Sequence, residues 1–425
     1  MKNAYLSALA LLGSASPLLA QTSQSISASA PRTEQSAPTA TIRRECATMD
    51  VLQAQLAADP GQAQRMAAIE SFTQRAIARV GTASQVVSPT GVVTIPVVVH
   101  VLYNTAAQNI SDAQVQSQIA VLNEDFQKLN ADGTAAYRYS GVASATAVQF
   151  VLATNGIVHK YTKTASWSTN DAVKNSKRGG DDAWDTSKYL NLWACNLGQG
   201  LLGYAQFPGG AASTDGVVML YSAFGSRAKY PAGTYITSYD LGRTATHEVG
   251  HWMNLRHIWG DDSGACTGSD LVSDTPNQGG ENYGCPATTK ASCSNAGDMY
   301  MNYMDYTDDR CMFMFSAGQS ARMNAVFAVG GPRYSIAAAP AALRAGVAAV
   351  SVYPNPGRES VSLQLPAGTN AAEYAVRVFD LRGYEMLQAR YDGQGQLQVG
   401  ALPKGLYYIS ISNGVTTTRQ RFEKE

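Results

Sequence analysis

The stretch from Thr246 to His257 reads T-H-E-V-G-H-W-M-N-L-R-H and constrains this chain more than any other. On a helix, His247 and His251 stand four residues apart, project from one face a turn apart, and so reach one metal ion together. Glu248 sits beside the first of them, better placed to take a proton from an attacking water than to bind the metal. His257 joins the pair only if the helix stops and the chain turns sharply before it. Asn254 tolerates the left-handed backbone that such a stop needs. Three imidazoles leave one position of a tetrahedral zinc open, the arrangement of a catalytic site and not of a closed structural one. The chain has five His in 425 residues and three belong to this stretch, a concentration that accidental surface histidines do not explain.

Residues 1–20 carry a Lys at position 2, an apolar run from Ala4 to Leu12 and a small residue, Ala20, at the expected cleavage point. That is a secretory signal peptide, and no later segment offers the eighteen consecutive apolar residues of a transmembrane anchor. A net charge of zero with 15% charged residues gives no electrostatic case for binding nucleic acid or an anionic membrane.

Residues 21–45 are rich in Ser, Thr, Ala and Gln and have too few large apolar groups to pack alone. Cys46 follows, ahead of helical patterns around Met49–Leu56 and Gln62–Val80. In an exported metalloenzyme such a thiolate can take the open zinc position and keep the protein latent; a structural disulfide is the alternative. From Thr94 the run I-P-V-V-V-H-V-L-Y predicts a buried strand. Ser111 then caps a helix whose apolar residues Val115, Ile119, Leu122, Phe126 and Leu129 share a face. Strands are expected at Ala147–Ala153, Tyr189–Asn196, Leu202–Phe207 and Gly216–Tyr221, with the zinc helix starting close to Asp240. This order implies an α/β domain with a mixed sheet. His100 and His159 have no partner at metal spacing and are not expected to be ligands.

Four of the six Cys (Cys266, Cys285, Cys293 and Cys311) cluster beyond His257. In an oxidising compartment they read as two bridges with three connectivities open; a second zinc site is disfavoured by the lack of a C-x-x-C pair. Cys195, in an apolar strand, reads as a buried free thiol. The loop S-D-L-V-S-D-T offers Asp270, Asp274 and Thr275 as hard oxygen donors suited to Ca²⁺, or else is a solvated acidic turn. After a last helix near Ala317–Phe327 the composition turns Ala-rich with Pro340, marking a linker. The final segment alternates apolar and polar residues between turns such as Pro354-Asn355-Pro356-Gly357 and Asp392-Gly393, the pattern of a small all-β, immunoglobulin-like sandwich.

H-E-V-G-H-W-M-N-L-R-H, then V-S-D-T-P, G-C-P, N-Y-M-D-Y and the run from Cys311 to Gln319 together resemble the pappalysin family of metzincin metalloproteases, including its cytophagalysin-type bacterial members. The family usually has Gly where this chain has Asn254. The resemblance implies a Met turn at Met304 beneath the metal and a Tyr306 that stabilises the tetrahedral oxyanion. It also implies disulfides Cys266–Cys293 and Cys285–Cys311, calcium at Asp270 and Thr275, and a zymogen Cys in the context of Cys46. The strand before the zinc helix, Leu202–Phe207, is expected to form the upper rim of the cleft, where an edge strand can pair with extended substrate. Asp309 matches an acidic pocket residue that prefers Arg after the scissile bond, and either Arg310 beside it or exposure to solvent would spoil that role. Y-P-N-P, D-L-R-G-Y and L-P-K-G-L-Y-Y-I resemble a type IX secretion sorting domain, with an adhesive or carbohydrate-binding module as the alternative. The expected organisation is signal peptide 1–20, propeptide 21–88, a metzincin-like catalytic domain 89–334, linker 335–347 and sorting sandwich 348–425. The expected function is a secreted zinc endopeptidase acting on proteins or peptides and exported by the secretion machinery; a noncatalytic adhesin that keeps the fold is the rival.

Overall fold

The computed structural model describes residues 43–80, 92–134, 137–338, 351–365, 370–381, 383–412 and 417–425. The expected signal peptide, the leader as far as residue 42, the end of the expected propeptide and most of the expected linker lie outside these residues.

The described chain opens with two helices, α1 (Thr48–Ala58) and α2 (Gly61–Val80). A five-stranded sheet follows, built from β1 (Val93–Tyr103), β2 (Val148–Tyr161), β3 (Leu190–Cys195), β4 (Gly203–Ala205) and β5 (Val217–Leu220) in the order β2-β1-β3-β5-β4. Neighbours β2, β1, β3 and β5 run parallel and only β4 is antiparallel, so the sheet is mixed and β4 is its edge. β1 is buried along almost its whole length, because the helices at Asp112–Phe126 and Tyr334–Ala337 pack on one of its faces and the segment carrying Trp167 and Val173 covers the other, so a central parallel strand needs no polar side.

Helix α3 (Asp112–Phe126) is capped by Ser111, whose hydroxyl accepts the Gln114 N–H at 3.3 Å. Its stripe Val115, Ile119, Leu122 and Phe126 is buried against the sheet, where each side chain contributes about 1.5–3 kcal/mol; Leu129, past the helix end, is half-buried. The same core takes Val249 and Trp252 from helix α4 (Arg243–Trp252), and Met304, Met323 and Ile336 from beyond it. The sheet's other face packs Leu102, Trp193, Tyr204 and Val218 under Ala47 and Val51 of the N-terminal segment.

Several boundaries differ from the sequence reading for local reasons. Helix α4 begins at Arg243, three residues after Asp240, because Gly242 is left-handed at φ 86° and interrupts the helical path. Strand β4 keeps only three of the six expected residues. β2 runs on to Tyr161 because a register shift about Asn155, itself at φ 56°, lets pairing with β1 resume at Ile157. After α5 (Ala317–Ala325) comes a short helix, α6 (Tyr334–Ala337), and its Ile336 is buried in the main core; the composition break at Ser335 therefore falls inside the packed body.

The C-terminal region is all-β. One antiparallel sheet has the order β6-β7-β10-β9 (Ser351–Tyr353, Ser360–Gln364, Gln396–Gln398, Arg390–Tyr391) and the other the order β12-β11-β8 (Thr417–Lys424, Gly405–Ser412, Ala375–Asp380). Val361 and Leu397 from the first meet Val378, Ile409 and Phe422 from the second in one core.

Candidate metal centre

Helix α4 places His247 and His251 one turn apart, with Nε2 atoms 3.2 Å from each other. The helix then stops. Met253 N–H still bonds back to Val249, Asn254 takes a left-handed φ of 72°, and Leu255 N–H returns to the Gly250 carbonyl at 3.0 Å. That reversal brings His257 Nε2 to 3.1 Å from His251 Nε2. Asn254 thus makes the turn that glycine makes more cheaply, and its Nδ2 is buried without a partner among the described residues.

Each ring is aimed by a bond to its other nitrogen: His247 Nδ1 to the Tyr303 carbonyl at 2.7 Å, His251 Nδ1 to the Leu255 carbonyl at 2.8 Å and His257 Nδ1 to Asp261 at 2.6 Å. Nδ1 is therefore the donor and each Nε2 presents a lone pair inward. Burial, then the neighbouring rings, push His247 and His251 well below the usual imidazole range, which keeps them neutral. The ligand atoms of Cys46, His247, His251 and His257 lie within 4.8 Å of one another. Three neutral imidazoles and a thiol match the donor set of Zn²⁺.

Glu248 is 1% exposed and its Oε2 accepts from the Thr48 hydroxyl at 2.9 Å and the Cys46 thiol at 3.3 Å. Burial pushes its carboxyl up to about 7, against the pull of those two donors. Gly203 on β4 makes room for it, since a Cβ there would stand 2.8 Å from Glu248 Cγ. Gly250 makes room for the Met turn in the same way, because a Cβ would stand 2.6 Å from Met304 Sδ. Tyr306 holds its hydroxyl 3.2 Å from His257 Nε2 and donates to the Cys46 carbonyl at 3.3 Å.

Cys46 is free and not bridged, and so is buried Cys195, whose thiol burial raises. The segment carrying Cys46 is extended along the edge strand: Leu202 N–H donates to Glu45 and Ala47 N–H to Gly203. Two residues before Cys46, Arg44 drives its guanidinium onto Asp309, Nη2 to Oδ1 at 2.6 Å, with both side chains essentially unexposed. The other Asp309 oxygen accepts from Leu241 N–H at 2.8 Å and Arg243 N–H at 3.2 Å. Arg310 is 72% exposed and leans toward Asp308, so it leaves Asp309 free to face Arg44.

Cys266 is joined to Cys293 and Cys285 to Cys311. In the loop they brace, Asp270 accepts from the Thr275 hydroxyl at 2.8 Å and the Val272 N–H at 3.1 Å, and burial pushes its carboxyl up to about 6. Asp274 instead receives the Ser316 hydroxyl at 2.6 Å and the Gly318 N–H at 2.9 Å at the start of α5. His100 is held by Asp181 at 2.7 Å and Asn191 at 3.1 Å, and His159 by Asn109 at 2.6 Å and Asp112 at 2.8 Å, all far in sequence from the metal cluster.

Sequence reasoning passed over Arg44, Thr48, Gly203 and Asp261. Arg44 had a visible signal, its fixed distance from Cys46. The others become partners only through the fold.

A family model described as Pregnancy-associated plasma protein-A matches residues 169–328, and one described as Secretion system C-terminal sorting domain matches residues 351–425. An extracellular metalloprotease of Pyricularia oryzae is 37% identical over 246 residues, which cover 55% of this chain and 75% of that protein. Mature mirolysin of Tannerella forsythia, solved with a cleaved peptide, is 50% identical over 58% of this chain and 96% of its own, with a TM-score of 0.55. A Tannerella forsythia promirolysin mutant is 44% identical, covers 69% of this chain and 97% of its own, and has a TM-score of 0.62. Among the described residues no helix is long and apolar enough to cross a membrane. With its three-histidine centre on a mixed α/β sheet and its C-terminal sorting domain, the chain belongs to the pappalysin family of zinc metalloendopeptidases and is a secreted member of it.

Proposed function

We propose that this protein is a latent endopeptidase that cleaves before Arg, with His247, His251 and His257 as zinc ligands and Glu248 as general base. The observation that carries the reading is Glu248 itself: a buried carboxyl raised to about 7, beside the point on which three Nε2 atoms converge. A zinc ion there supplies Lewis acidity toward the scissile carbonyl and a lowered pKa for water. Glu248 accepts the proton of the attacking water and passes it to the leaving amine, a transfer that its raised pKa matches to neutral pH. Tyr306, with its hydroxyl already at the rim of the cluster, donates to the developing oxyanion. Met304 supports the ligands from below, and β4 pairs with the substrate main chain.

Residues 21–88 form the propeptide in this reading. Cys46 would hold the zinc together with the three histidines while Arg44 fills the Asp309 pocket, and the buried Arg44–Asp309 pair supports an enzyme that prefers Arg after the scissile bond. The catalytic domain runs from 89 through the buried Ile336 of α6, a linker follows up to residue 347, and 348–425 is an immunoglobulin-like sorting sandwich that engages the secretion machinery. Asp270 and Thr275 are the proposed calcium ligands, supported by a nearly buried carboxylate on an irregular loop. The noncatalytic adhesin has no observation of its own in its favour.

Hydrolysis of a denatured protein by the processed enzyme tests the reading. Activity should vanish with a zinc chelator, return with Zn²⁺, and fall by about 10²–10⁴-fold in Glu248→Gln with the metal still bound. Full activity in that variant would sink the assignment.

A further inference from the structure

Helix α2 carries an observation that latency through Cys46 does not use. Arg44 stands at Asp309, Cys46 at the metal cluster and the extended chain continues along β4, so α1 and α2 lie on the far side of the cluster from Asp309. There α2 bridges the loop after β4 and helix α5. Arg65 Nε donates to the Gly209 carbonyl at 2.8 Å, in the loop after β4, and Glu70 meets Arg322 of α5. That meeting is a two-pronged fork: Arg322 Nη1 to Oε1 at 2.9 Å and Nη2 to Oε2 at 2.8 Å.

Arg322 is 1% exposed, and its remaining acceptors are two carbonyls, Asn254 at 3.3 Å and Leu271 at 3.4 Å. Its Nε has no partner among the described residues. Arg256 adds a second positive charge that acts on Glu70. Once α2 leaves, a nearly buried guanidinium loses the one carboxylate bonded to its fork among the described residues, with the charge of Asp270 still acting nearby.

We propose that Arg322, seconded by Arg256, is a subsite for an acidic side chain on the N-terminal side of the scissile bond, and that Glu70 fills it in the latent protein. The proposal rests on the reading that the propeptide departs and that Asp309 receives the residue after the bond. With Asp309 on one side and Arg322 on the other, the cleft is electrostatically polar along its length: substrates that enter in register carry an acid before the cut and Arg after it. The pro-segment satisfies both ends with Arg44 and Glu70, in reverse chain order.

The test uses processed enzyme and peptides matched except for Glu or Gln at successive positions before the bond. At one position kcat/KM for Glu should exceed that for Gln by about tenfold, the size of a partly exposed charge-assisted pair. Arg322→Gln should bring the ratio to one, whatever it does to the absolute rate; Arg256→Gln, at a half-buried site, should shrink the ratio if Arg322→Gln proves unstable. Binding of the same peptides to Glu248→Ala, which cannot turn them over, gives the preference without catalysis. A Glu preference in binding alongside no cleavage by wild type would retire the peptidase reading and keep the subsite. Equal binding and cleavage of Glu and Gln peptides at every position overturns the subsite.

Discussion

Asn254 is the residue on which the third ligand depends. An L-residue in the left-handed region costs about 1–2 kcal/mol, which Asn recovers only in part. Here the side chain also buries an amide nitrogen with no partner. Asn254→Gly removes both penalties against a backbone-entropy cost of about 0.5–1 kcal/mol, so it should leave stability unchanged or raise it. Asn254→Ala, unable to adopt φ 72° cheaply, should lose about 1 kcal/mol and loosen metal binding, as thermal unfolding and a zinc-competition titration would read. At Cys46, the thiol donates to Glu248 and lies within the metal cluster, so Cys46→Ala removes both holds at once. The Cys46→Ala proenzyme should gain activity without processing; one as silent and as stable as wild type would dismiss the thiol switch. Asp309 allows a sharper test. Loss of a buried charge-assisted pair costs about 1.5–3 kcal/mol, so Asp309→Asn should cut the Arg-over-Leu ratio of kcat/KM after the bond by about ten- to a hundredfold. That His247, Glu248 and His251 come together was legible because helical spacing fixes their mutual geometry, and Asn254 marked the reversal that adds His257. Thr48 and Gly203 were not, since Thr48 reaches Glu248 across 200 positions and Gly203 acts only by lacking a Cβ.

At the scale of elements, sequence pattern found α3, β1 and the succession of strands and helices along the chain, where period and burial coincide, but not the order of strands within the sheet. It gave β4 three residues more than the strand keeps, although bonds to the β5 side persist at its flanks, where Leu220 N–H donates to Leu202 and Gln206 N–H to Gly216. Helix α2 was recognisable as a helix, but its docking through Glu70 was invisible, since Glu on a helix is usually solvated. That contact makes the helix sensitive to acid. Burial works against the Glu70 carboxylate, but its bonds from Arg322 and Gln74 and the charges of Arg322 and Arg256 outweigh it, holding the group below its ordinary value. A depressed folded-state pKa contributes stability that is present above the ordinary carboxylate range and lost as pH falls through the lowered value. Protection of α2 amides against hydrogen exchange should therefore decline as pH falls below about 4.5, where an unperturbed Glu begins to protonate. Glu70→Gln should show weak protection at neutral pH and little further change. An identical acid profile in the variant would assign the loosening to other carboxylates.

Across the whole molecule, the centre is assembled from three separated stretches: Arg44 to Thr48, His247 to His257 and Met304 to Asp309. All three are packed on one sheet, and the two disulfides close the loop between the second and the third. The C-terminal region contributes nothing to that assembly. Its core, from Val361 to Phe422, shares no residue with the cores around the five-stranded sheet, and the catalytic body closes on itself at Ile336. The two meet beside β2, where the Arg419 N–H donates to Gln149 Oε1 at 3.3 Å and Leu381, Tyr408 and Arg419 line a cavity with Val148 and Asn324. Removing the tail leaves both cores around the five-stranded sheet intact and no buried charge of the metal centre unpaired, so a chain ending at Ala338 should unfold within a few degrees of the full protein, since about 1 kcal/mol shifts Tm by about 2–4 °C or less in a chain this long. Its processed form should hydrolyse the same peptides with unchanged kcat/KM. In a host with the matching secretion system it should stay inside the cell, while the full chain reaches the medium or the cell surface. A truncated chain that is exported normally would deny the tail its sorting role, and one that folds but loses peptide hydrolysis would show that the sandwich supports the cleft.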